Sequence, residues 1–380
     1  MITSEFIVIG AGVVGSATAW NLAKAGHSVT LVERDVPASG ASGGPGERGA
    51  RASGRDLREL PLAARAYELW PEIVAELGDV VGVRQIGGLS VGEAGGPGMP
   101  RERMELVVQA QQRFGIETRI LERDEIREML PGINPLADRA LYSPRDGVGD
   151  HTNATRTFAA AVTSLGGTVL ENSPVTKIVK NPNGSGMIVE IANGEQLLAT
   201  TRVVVAANSY TDTLIRNSFG IDLPMHRMKP PQVIYVKKPE SFKLDYLMSY
   251  AAGGVVIKAH GDDAVMVSGA SRGRWNVELD RGEILIDQIG RAMQGMVRAF
   301  PALNDGELFH VNASRPESDT YDEIPIIDTV PGCPEVIFAA GWAGHGFMIA
   351  PASAEAIAQF ATAGEAPAVL KPFSVSRFNL

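Results

Sequence analysis

The clearest pattern in the chain is the order of apolar and polar positions over its first 35 residues. Glu5–Gly10 is an apolar run without polar alternation, which is typical of a parallel strand covered on both faces. Ser16–Ala25 has the composition of a helix, and Gly26 suits the position just after a helix end. Ser28–Val32 is a second apolar run. The pattern predicts a strand, a glycine turn, a helix and a second strand, in that order.

The turn reads Gly10-Ala-Gly12-Val-Val-Gly15, and its spacing matches the fingerprint of dinucleotide-binding domains. The first glycine permits the tight bend, the second lets the backbone approach a pyrophosphate, and the third lets the helix pack closely on the strand. Free amides at the helix N-terminus then face the phosphates. Glu33 stands 18 residues after Gly15, where a carboxylate can accept hydrogen bonds from a ribose diol. The predicted dinucleotide-binding residues are Gly10, Gly12, Val14, Gly15, Glu33 and Arg34.

This fingerprint does not choose between FAD and NAD(P), since all of them are dinucleotides. The acid at Glu33 disfavours a 2′-phosphate, so NADP is the least compatible of the three. FAD and NAD both remain open at this point.

Helical and strand patterns alternate along the rest of the chain. The predicted helices are Asp56–Leu77, Arg101–Arg113, Glu122–Met129, Ala154–Leu165 (capped by Thr152 or Asn153), a helix capped by Asn208 and running to about Ser218, Arg281–Phe300 and Pro351–Thr362. The main predicted strands are Val83–Val91 (a pair), Gly167–Leu170, Val175–Val179, Thr201–Ala207, Gln232–Val236, Gly254–Lys258, Ala264–Ser268, Leu308–Ala313 and Val336–Ala340. Asn181–Gly186 is a hairpin turn between Thr176–Lys180 and Met187–Ile191.

These elements predict an α/β protein in which a Rossmann-like domain is interleaved with an α+β domain built on an antiparallel sheet. We assign residues 1–82, 148–222 and 315–380 to the dinucleotide-binding domain. Residues 83–147 and 223–314 form the substrate-binding domain in this prediction.

Composition narrows the function classes. The 380 residues carry a net charge of −9 and no basic block, so nucleic acid and anionic membrane surfaces are not expected partners. The single cysteine, Cys333, excludes an internal disulfide framework and any cysteine-based zinc or iron–sulfur cluster. Phe6–Ala23 is uncharged over 18 residues, but its glycines and polar side chains favour a buried strand–turn–helix over a membrane span. With no basic region at the N-terminus, we expect a cytoplasmic protein without membrane insertion.

Four segments together carry a resemblance to a known family: VIGAGVVGSATAWNLAKAGHSVTLVER, SGRDLRELPLA, VVVAAN and GWAGHGF-MIAP. With them the chain resembles the FAD-dependent D-amino-acid-oxidase superfamily, which includes glycine oxidase and sarcosine oxidase. SGRDLRELPLA and YSPRDGVGD look closest to the amine-oxidising subunits of opine oxidase and hydrogen cyanide synthase. The resemblance implies oxidation of the C–N bond of an amino acid or an N-substituted, opine-type amino acid. A hydride passes from the α-carbon to flavin N5, and the imine hydrolyses to a 2-oxo acid and an amine.

The resemblance also implies roles for particular residues. Arg315, followed by Pro316, binds the substrate carboxylate where sarcosine oxidase-like relatives carry the cysteine that links to flavin, so FAD is noncovalent and Cys333 is inert. His345 orients the substrate near the flavin. Asn208 departs from the glycine that usually ends this strand in the family. The remaining implied cofactor-binding residues are Ser42, Arg51, Val175, Ala207, Gly341, Gly344, Gly346, Phe347 and Met348.

Several alternatives remain open from the sequence. The enzyme is an oxidase using O₂ or a dehydrogenase passing electrons to another acceptor. Sarcosine oxidase-like relatives place a lysine over the flavin, and Ala264–Ser268 contains none, which favours the dehydrogenase. An NAD-dependent dehydrogenase and a noncatalytic flavin-carrying subunit of a heteromeric complex are the rival hypotheses. The expected ligand is a small amino or imino acid, without a metal, and partner subunits or a homo-oligomer are both compatible with the chain.

Overall fold

A computed structural model describes residues 1–227 and 230–379 of the chain. Its α-helices are α1 (Val13–Lys24), α2 (Leu60–Leu77), α3 (Arg101–Gln112), α4 (Arg123–Met129), α5 (His151–Ser164), α6 (Thr211–Phe219), α7 (Ile286–Ala299) and α8 (Gly346–Ala363). The first eleven strands are β1 (Ile2–Ile9), β2 (Val29–Val32), β3 (Glu47–Ala50), β4 (Val83–Gln85), β5 (Gly88–Glu93), β6 (Arg119–Glu122), β7 (Ala137–Ser143), β8 (Gly147–Asp150), β9 (Thr168–Leu170), β10 (Val175–Lys180) and β11 (Met187–Ile191). The strands that follow are β12 (Gln196–Val205), β13 (Met225–Arg227), β14 (Val233–Lys237), β15 (Leu247–Tyr250), β16 (Val255–His260), β17 (Ala264–Gly269), β18 (Arg274–Asn276), β19 (Arg281–Glu283), β20 (Glu307–Asn312), β21 (Ser318–Thr320), β22 (Ile326–Val330) and β23 (Cys333–Ala340).

The first large sheet is centred on β1. Its order is β10-β11-β12-β1-β2-β9, and β23 pairs with the C-terminal part of β12 while β22 pairs with β23. The pairings of β1 with β2 and β12, of β2 with β9 and of β12 with β23 are parallel. Phe6 and Val8 pack in one core cluster with α1, α5 and α8, and Ile7 and Ile9 pack in another. Burial on both faces explains why this strand lacks polar alternation.

The second large sheet has the order β20-β14-β17-β16-β15-β5-β7-β6. Its pairings are antiparallel except for the parallel pair β5 and β15. Val255 and Ile257 of β16 face a core that includes Met296 of α7. Because side chains alternate along a strand, Val256 and Lys258 point to the opposite face.

The predicted fold class is confirmed: helices and parallel strands surround β1, and a second, mainly antiparallel sheet lies beside them. The hairpin on either side of Asn181–Gly186 is also confirmed by the antiparallel pair β10 and β11. The exact division of the chain into two domains stays our prediction.

One predicted helix start and one predicted helix cap are wrong. Arg281–Glu283 is a strand rather than the start of a helix, because it pairs antiparallel with Arg274–Asn276. Helix α5 is capped by Asp150, whose carboxylate accepts hydrogen bonds from the amides of Thr152 and Asn153.

None of the helices in the described residues is both long enough and apolar enough to cross a bilayer. Within the same part of the chain, no group of three His, Cys, Asp or Glu side chains is arranged to hold a metal ion.

Candidate active site

One cavity of about 820 Å³ is lined by residues from both large sheets and from the N-terminal turn of α8. The glycine turn before α1 and the ends of β2 and β10 line one part of it. Leu247, Val256, Lys258 and Met266 of the second sheet line another part. The cavity therefore joins the predicted dinucleotide-binding turn to the face of the second sheet that carries Lys258.

The three fingerprint glycines have different structural tasks. Gly10 has φ +101° and Gly15 packs so tightly that a Cβ on it would stand 2.0 Å from the Gly10 carbonyl oxygen. A Cβ on Gly12 would meet nothing within 4 Å, so the space beside Gly12 is open to a ligand. Gly10, Gly12 and Val14 line the cavity, whereas Gly15 holds α1 against the turn.

Glu33 lies where a ribose diol is expected. Its Oε2 accepts a hydrogen bond from the Ala11 amide at 2.7 Å, and its Oε1 accepts one from the Asp35 amide at 3.1 Å. These bonds fix the carboxylate at the cavity wall beside the glycine turn. The open amide end of α1 and the oriented carboxylate together fit the phosphate and ribose parts of FAD.

Arg34 and Val175 also line this part of the cavity, beside Tyr210. The Arg34 guanidinium lies 4.2 Å from the centre of the Tyr210 ring, and its Nη1 is 3.5 Å from Asp280. Tyr210 donates from its hydroxyl to the same carboxylate at 3.0 Å. Asp280 belongs to the loop between β18 and β19, so a hairpin reaches across to the dinucleotide-binding turn.

Ser42, Ala207 and Asn208 line the cavity around a carboxylate, that of Glu317. Ser42 donates to Glu317 Oε2 at 2.7 Å, and Asn208 donates from Nδ2 to Oε1 at 2.7 Å. The prediction that the Asn208 side chain caps a helix is wrong, since it holds Glu317 instead. Its φ of +42° explains why glycine suits this position in the resembling family and why asparagine is tolerated.

All of the Gly341–Phe347 segment except Gly341 lines the cavity, and α8 begins at Gly346. Gly341, with φ +76°, packs against Thr320, and Met348 is buried in the core with its carbonyl accepting from Trp70. The N-terminal end of an 18-residue helix at the cavity wall favours negative charge there.

His345 has a partner that the sequence pattern did not reveal. Its Nδ1 lies 3.3 Å from Oε2 of Glu59, a residue with 0% exposure. Glu59 stands at the start of α2, 286 positions before His345. The pair does not meet hydrogen-bond geometry, and the Glu59 oxygens and His345 Nδ1 have no hydrogen-bond partner among the described residues.

Arg315, the predicted carboxylate-binding residue, does not line the cavity among the residues that the structure describes. Its Nε donates to the Ser39 carbonyl oxygen at 3.1 Å, and its Nη2 is 3.8 Å from Asp35. The guanidinium is thus engaged with the loop after β2. This placement does not bring Arg315 to the cavity wall, and its role in binding the substrate carboxylate stays a prediction.

Other cations line the cavity instead: Arg48, Arg51, Arg55, Lys258 and Arg272. Only Arg51 was among the predicted site residues. Alternation along β16 could have revealed Lys258, since it shares a face with Val256.

Lys258 changes the expectation about a lysine near the flavin. It is 1% exposed, and its Nζ lies 3.0 Å from Glu47 Oε2. Burial lowers the pKa of Lys258, and Glu47 acts in the opposite direction. Ala264–Ser268 indeed contains no lysine, but the adjacent strand supplies one, so its absence there does not argue for a dehydrogenase.

Arg48 and His151 stabilise the loop that covers this region. Arg48 donates to the carbonyl oxygens of Gly43 and Glu47 at 2.6 and 2.7 Å. The Nε2 of His151 is 2.9 Å from the Gly44 carbonyl oxygen. Burial and then the Arg48 charge lower the pKa of His151 to about 4, so the ring is neutral at pH 7.

Residues 5–360 match the model of the DAO family, described as FAD dependent oxidoreductase. The chain belongs to this family. It is an FAD-dependent oxidoreductase, and the NAD-dependent alternative is wrong. This DAO-family chain is 26% identical over 394 aligned positions to N-methyl-L-tryptophan oxidase of Yersinia pestis (strain Pestoides F), covering 99% of each chain.

Solved structures show the same fold. L-proline dehydrogenase from P. horikoshii superimposes with a TM-score of 0.86 at 23% identity, covering 100% of this chain and 98% of that one. Glycine oxidase from Geobacillus kaustophilus gives a TM-score of 0.84 at 21% identity, covering 99% of each chain. The DAO-family chain therefore shares its whole architecture with both proteins.

Proposed function

We propose that this enzyme oxidises the C–N bond of an amino acid or an N-substituted amino acid. The observation that carries the proposal is the single cavity that joins the dinucleotide-binding turn to a cationic region containing Arg51. Membership of the DAO family identifies FAD as the cofactor. The names of the similar proteins described above refer to amino-acid substrates.

In this proposal Arg51, rather than Arg315, binds the substrate carboxylate. It lines the cavity, and its guanidinium makes no hydrogen bond or ion pair within the described part of the chain. A planar guanidinium fork matches a carboxylate in geometry and charge. Arg51 thereby fixes the α-carbon relative to the cavity wall.

FAD, held noncovalently, would supply the two-electron chemistry, with hydride transfer from the substrate α-carbon to the flavin. The protein holds the substrate in position and stabilises the charge that develops during the reaction. The imine product then reacts with water to give a 2-oxo acid and an amine or ammonia. Cys333, the only cysteine, is buried at the start of β23 and takes no part.

His345 and Glu59 have the arrangement needed to handle the proton of the substrate amine. Nδ1 faces the Glu59 carboxylate at 3.3 Å, so Nε2 is the ring nitrogen left to face a substrate. In this proposal His345 Nε2 takes the proton of the bound ammonium group, since a neutral amine is required for hydride loss. The N-terminal end of α8 and Lys258 stabilise the negative charge that develops in the cavity.

The test is an absorbance spectrum of the FAD-loaded protein, recorded anaerobically before and after pooled amino acids, N-methylamino acids and opines are added. Bleaching of the flavin bands supports the proposal, and dividing the pool identifies the substrate. Bands that persist with every substrate, alone and with added partner chains, contradict it and favour the noncatalytic flavin-carrying role. Readmitting air separates the two acceptor classes: rapid return of colour with peroxide indicates an oxidase, and return only with an artificial acceptor indicates a dehydrogenase.

A further inference from the structure

Two arginines on one turn present unused hydrogen-bond donors to the cavity. Arg51 makes no side-chain hydrogen bond to any residue that the structure describes, and Arg55 uses only its Nε, which donates to the Arg51 carbonyl oxygen at 3.2 Å. Both side chains line the cavity. Neither has a carboxylate within 4.0 Å among the described residues.

The other cations of the cavity are engaged. Lys258 pairs with Glu47, and Arg272 donates to the carbonyl oxygens of Gly269 and Ser271. Arg48 donates to backbone carbonyls, and Arg34 lies beside carboxylates, as described above. Arg51 and Arg55 therefore differ from every other described cation of the cavity in having free guanidinium forks.

The turn that carries the two arginines is held rigidly. Asp146, which has 0% exposure, accepts a hydrogen bond from the Ala52 amide at 2.7 Å and another from the Ser53 hydroxyl. The hydroxyl of Tyr67 donates to the same carboxylate at 2.6 Å. These donors occupy the Asp146 oxygens, so that Asp146 fixes the turn instead of pairing with the guanidinium groups.

The two forks belong to the substrate end of the cavity. Arg51 directly follows β3, whose Gly49 packs against Leu247 of the second sheet. Arg55 is four residues before Glu59, which contacts His345 at the start of α8. The phosphates of a dinucleotide belong instead at the amide end of α1.

We propose that the substrate carries two carboxylates, one bound by Arg51 and the other by Arg55. This inference rests on the proposed function, because it names the substrate class of the same site. Each free fork can hold one carboxylate through two parallel hydrogen bonds, so a dicarboxylate satisfies the donors of both arginines, whereas a monocarboxylate leaves one set of buried donors unsatisfied. Burial and then the Arg51 charge lower the pKa of Arg55 to about 10, while the Glu59 and Asp146 charges act in the opposite direction.

The second carboxylate can occupy either of two positions in the substrate. In an iminodicarboxylate it is part of the nitrogen substituent, and in an aminodicarboxylate it is part of the side chain. In both cases the group that Arg55 recognises is a carboxylate a few bonds from the reacting C–N bond.

The test uses ether analogues, which cannot be oxidised at nitrogen, and measures their binding to the FAD-loaded protein by titration calorimetry. Diglycolate and methoxysuccinate carry two carboxylates in the two arrangements, and methoxyacetate carries one. We expect at least one dicarboxylate to bind about ten- to a hundredfold more tightly than methoxyacetate, the gain typical of one added charged hydrogen-bond pair. The preferred dicarboxylate identifies the source.

Variants connect this preference to Arg55. Arg55→Gln removes the charge and should bring the affinities for the dicarboxylate and for methoxyacetate to within about threefold of each other, and Arg55→Lys should keep only part of the preference. Arg291→Gln, an exposed change on α7, is the matched control and should keep the full preference. FAD content and the urea midpoint of each variant verify that it is folded.

Equal binding of all three analogues to the parent protein would overturn the inference, and so would a preference that survives in Arg55→Gln. These outcomes are independent of turnover. If the analogues bind as expected but no amino acid bleaches the flavin, the dicarboxylate site stands and the proposed function fails.

Discussion

A matched pair of alanine substitutions separates the two tasks of the glycine turn before α1. A Cβ on Gly15 would stand 2.0 Å from the Gly10 carbonyl oxygen, at least 1 Å closer than ordinary Cβ contacts. Helix α1 would have to move by about 1 Å from a tightly packed turn, and overpacking of this kind typically costs about 1–3 kcal/mol. Gly15→Ala should therefore lower the free energy of unfolding of the FAD-free protein by that amount.

Gly12→Ala should have the opposite profile. The added Cβ meets no protein atom within 4 Å, and the backbone of Gly12, at φ −76° and ψ 176°, suits alanine. The stability of the FAD-free protein should change by less than about 1 kcal/mol, since a poorer N-cap residue is offset by a less flexible unfolded chain. The methyl group occupies the space where the backbone must approach a pyrophosphate, so FAD should bind at least about tenfold more weakly.

The assay combines urea denaturation of the FAD-free protein with titration of FAD, followed by flavin fluorescence. Full stability in Gly15→Ala would refute the packing argument. Unchanged FAD affinity in Gly12→Ala would show that the open space beside Gly12 does not receive the pyrophosphate.

Three further predictions follow from contacts around the cavity. Asp280→Asn should speed FAD release several-fold and make it less sensitive to salt, because it removes the charge that the hairpin presents to Arg34, and Asp287→Asn on α7 is the control. Glu59→Gln should slow flavin reduction about tenfold or more and alter its pH profile, with FAD affinity unchanged, since it removes the buried negative charge beside His345. His151→Gln should flatten the loss of stability on acidification. The folded ring has a pKa of about 4 against an ordinary 6.5, so between these values the unfolded chain binds a proton that the folded chain does not. Lowering the pH from 7 to 4 therefore removes up to about 3 kcal/mol of unfolding free energy, measured by urea denaturation at each pH.

Each of these has a result that contradicts it. Equal FAD release from the Asp280 and Asp287 variants would show that the hairpin does not retain the cofactor. An unchanged pH profile in Glu59→Gln would separate Glu59 from proton handling. An equally steep loss of stability in the His151 variant would place the acid sensitivity elsewhere.

The glycine turn and its flanking strands could be predicted because their determinants are local. The apolar run Phe6–Ile9 at the end of β1 indicates burial on both faces, and the spacing of Gly10, Gly12 and Gly15 indicates a turn with close helix packing. The cap of α5 was also within reach, because Asp150 immediately precedes the helix and is a favoured N-cap residue.

The cationic part of the cavity could not be derived in the same way. Whether Arg51 and Arg55 have partners depends on Asp146, about 90 positions further along the chain, which fixes their turn without pairing with them. Arg315 looked equally suited to a carboxylate until the structure placed it beside Ser39 and Asp35. A sequence shows which side chains carry charge, but only the fold shows which of them are already neutralised.

The interleaving of the two large sheets has a consequence for synthesis of the chain. Strand β5 pairs with β15, so Gly88 meets Leu247, and helix α1 packs against α8, more than 300 positions later. In an emerging N-terminal half, β5 therefore lacks its partner β15, and α1 can pack against α5 but not yet against α8. Such distant contacts close slowly. The nascent polypeptide must remain protected from aggregation until translation is nearly complete, which makes its production sensitive to chaperone supply and to truncation near the C-terminus.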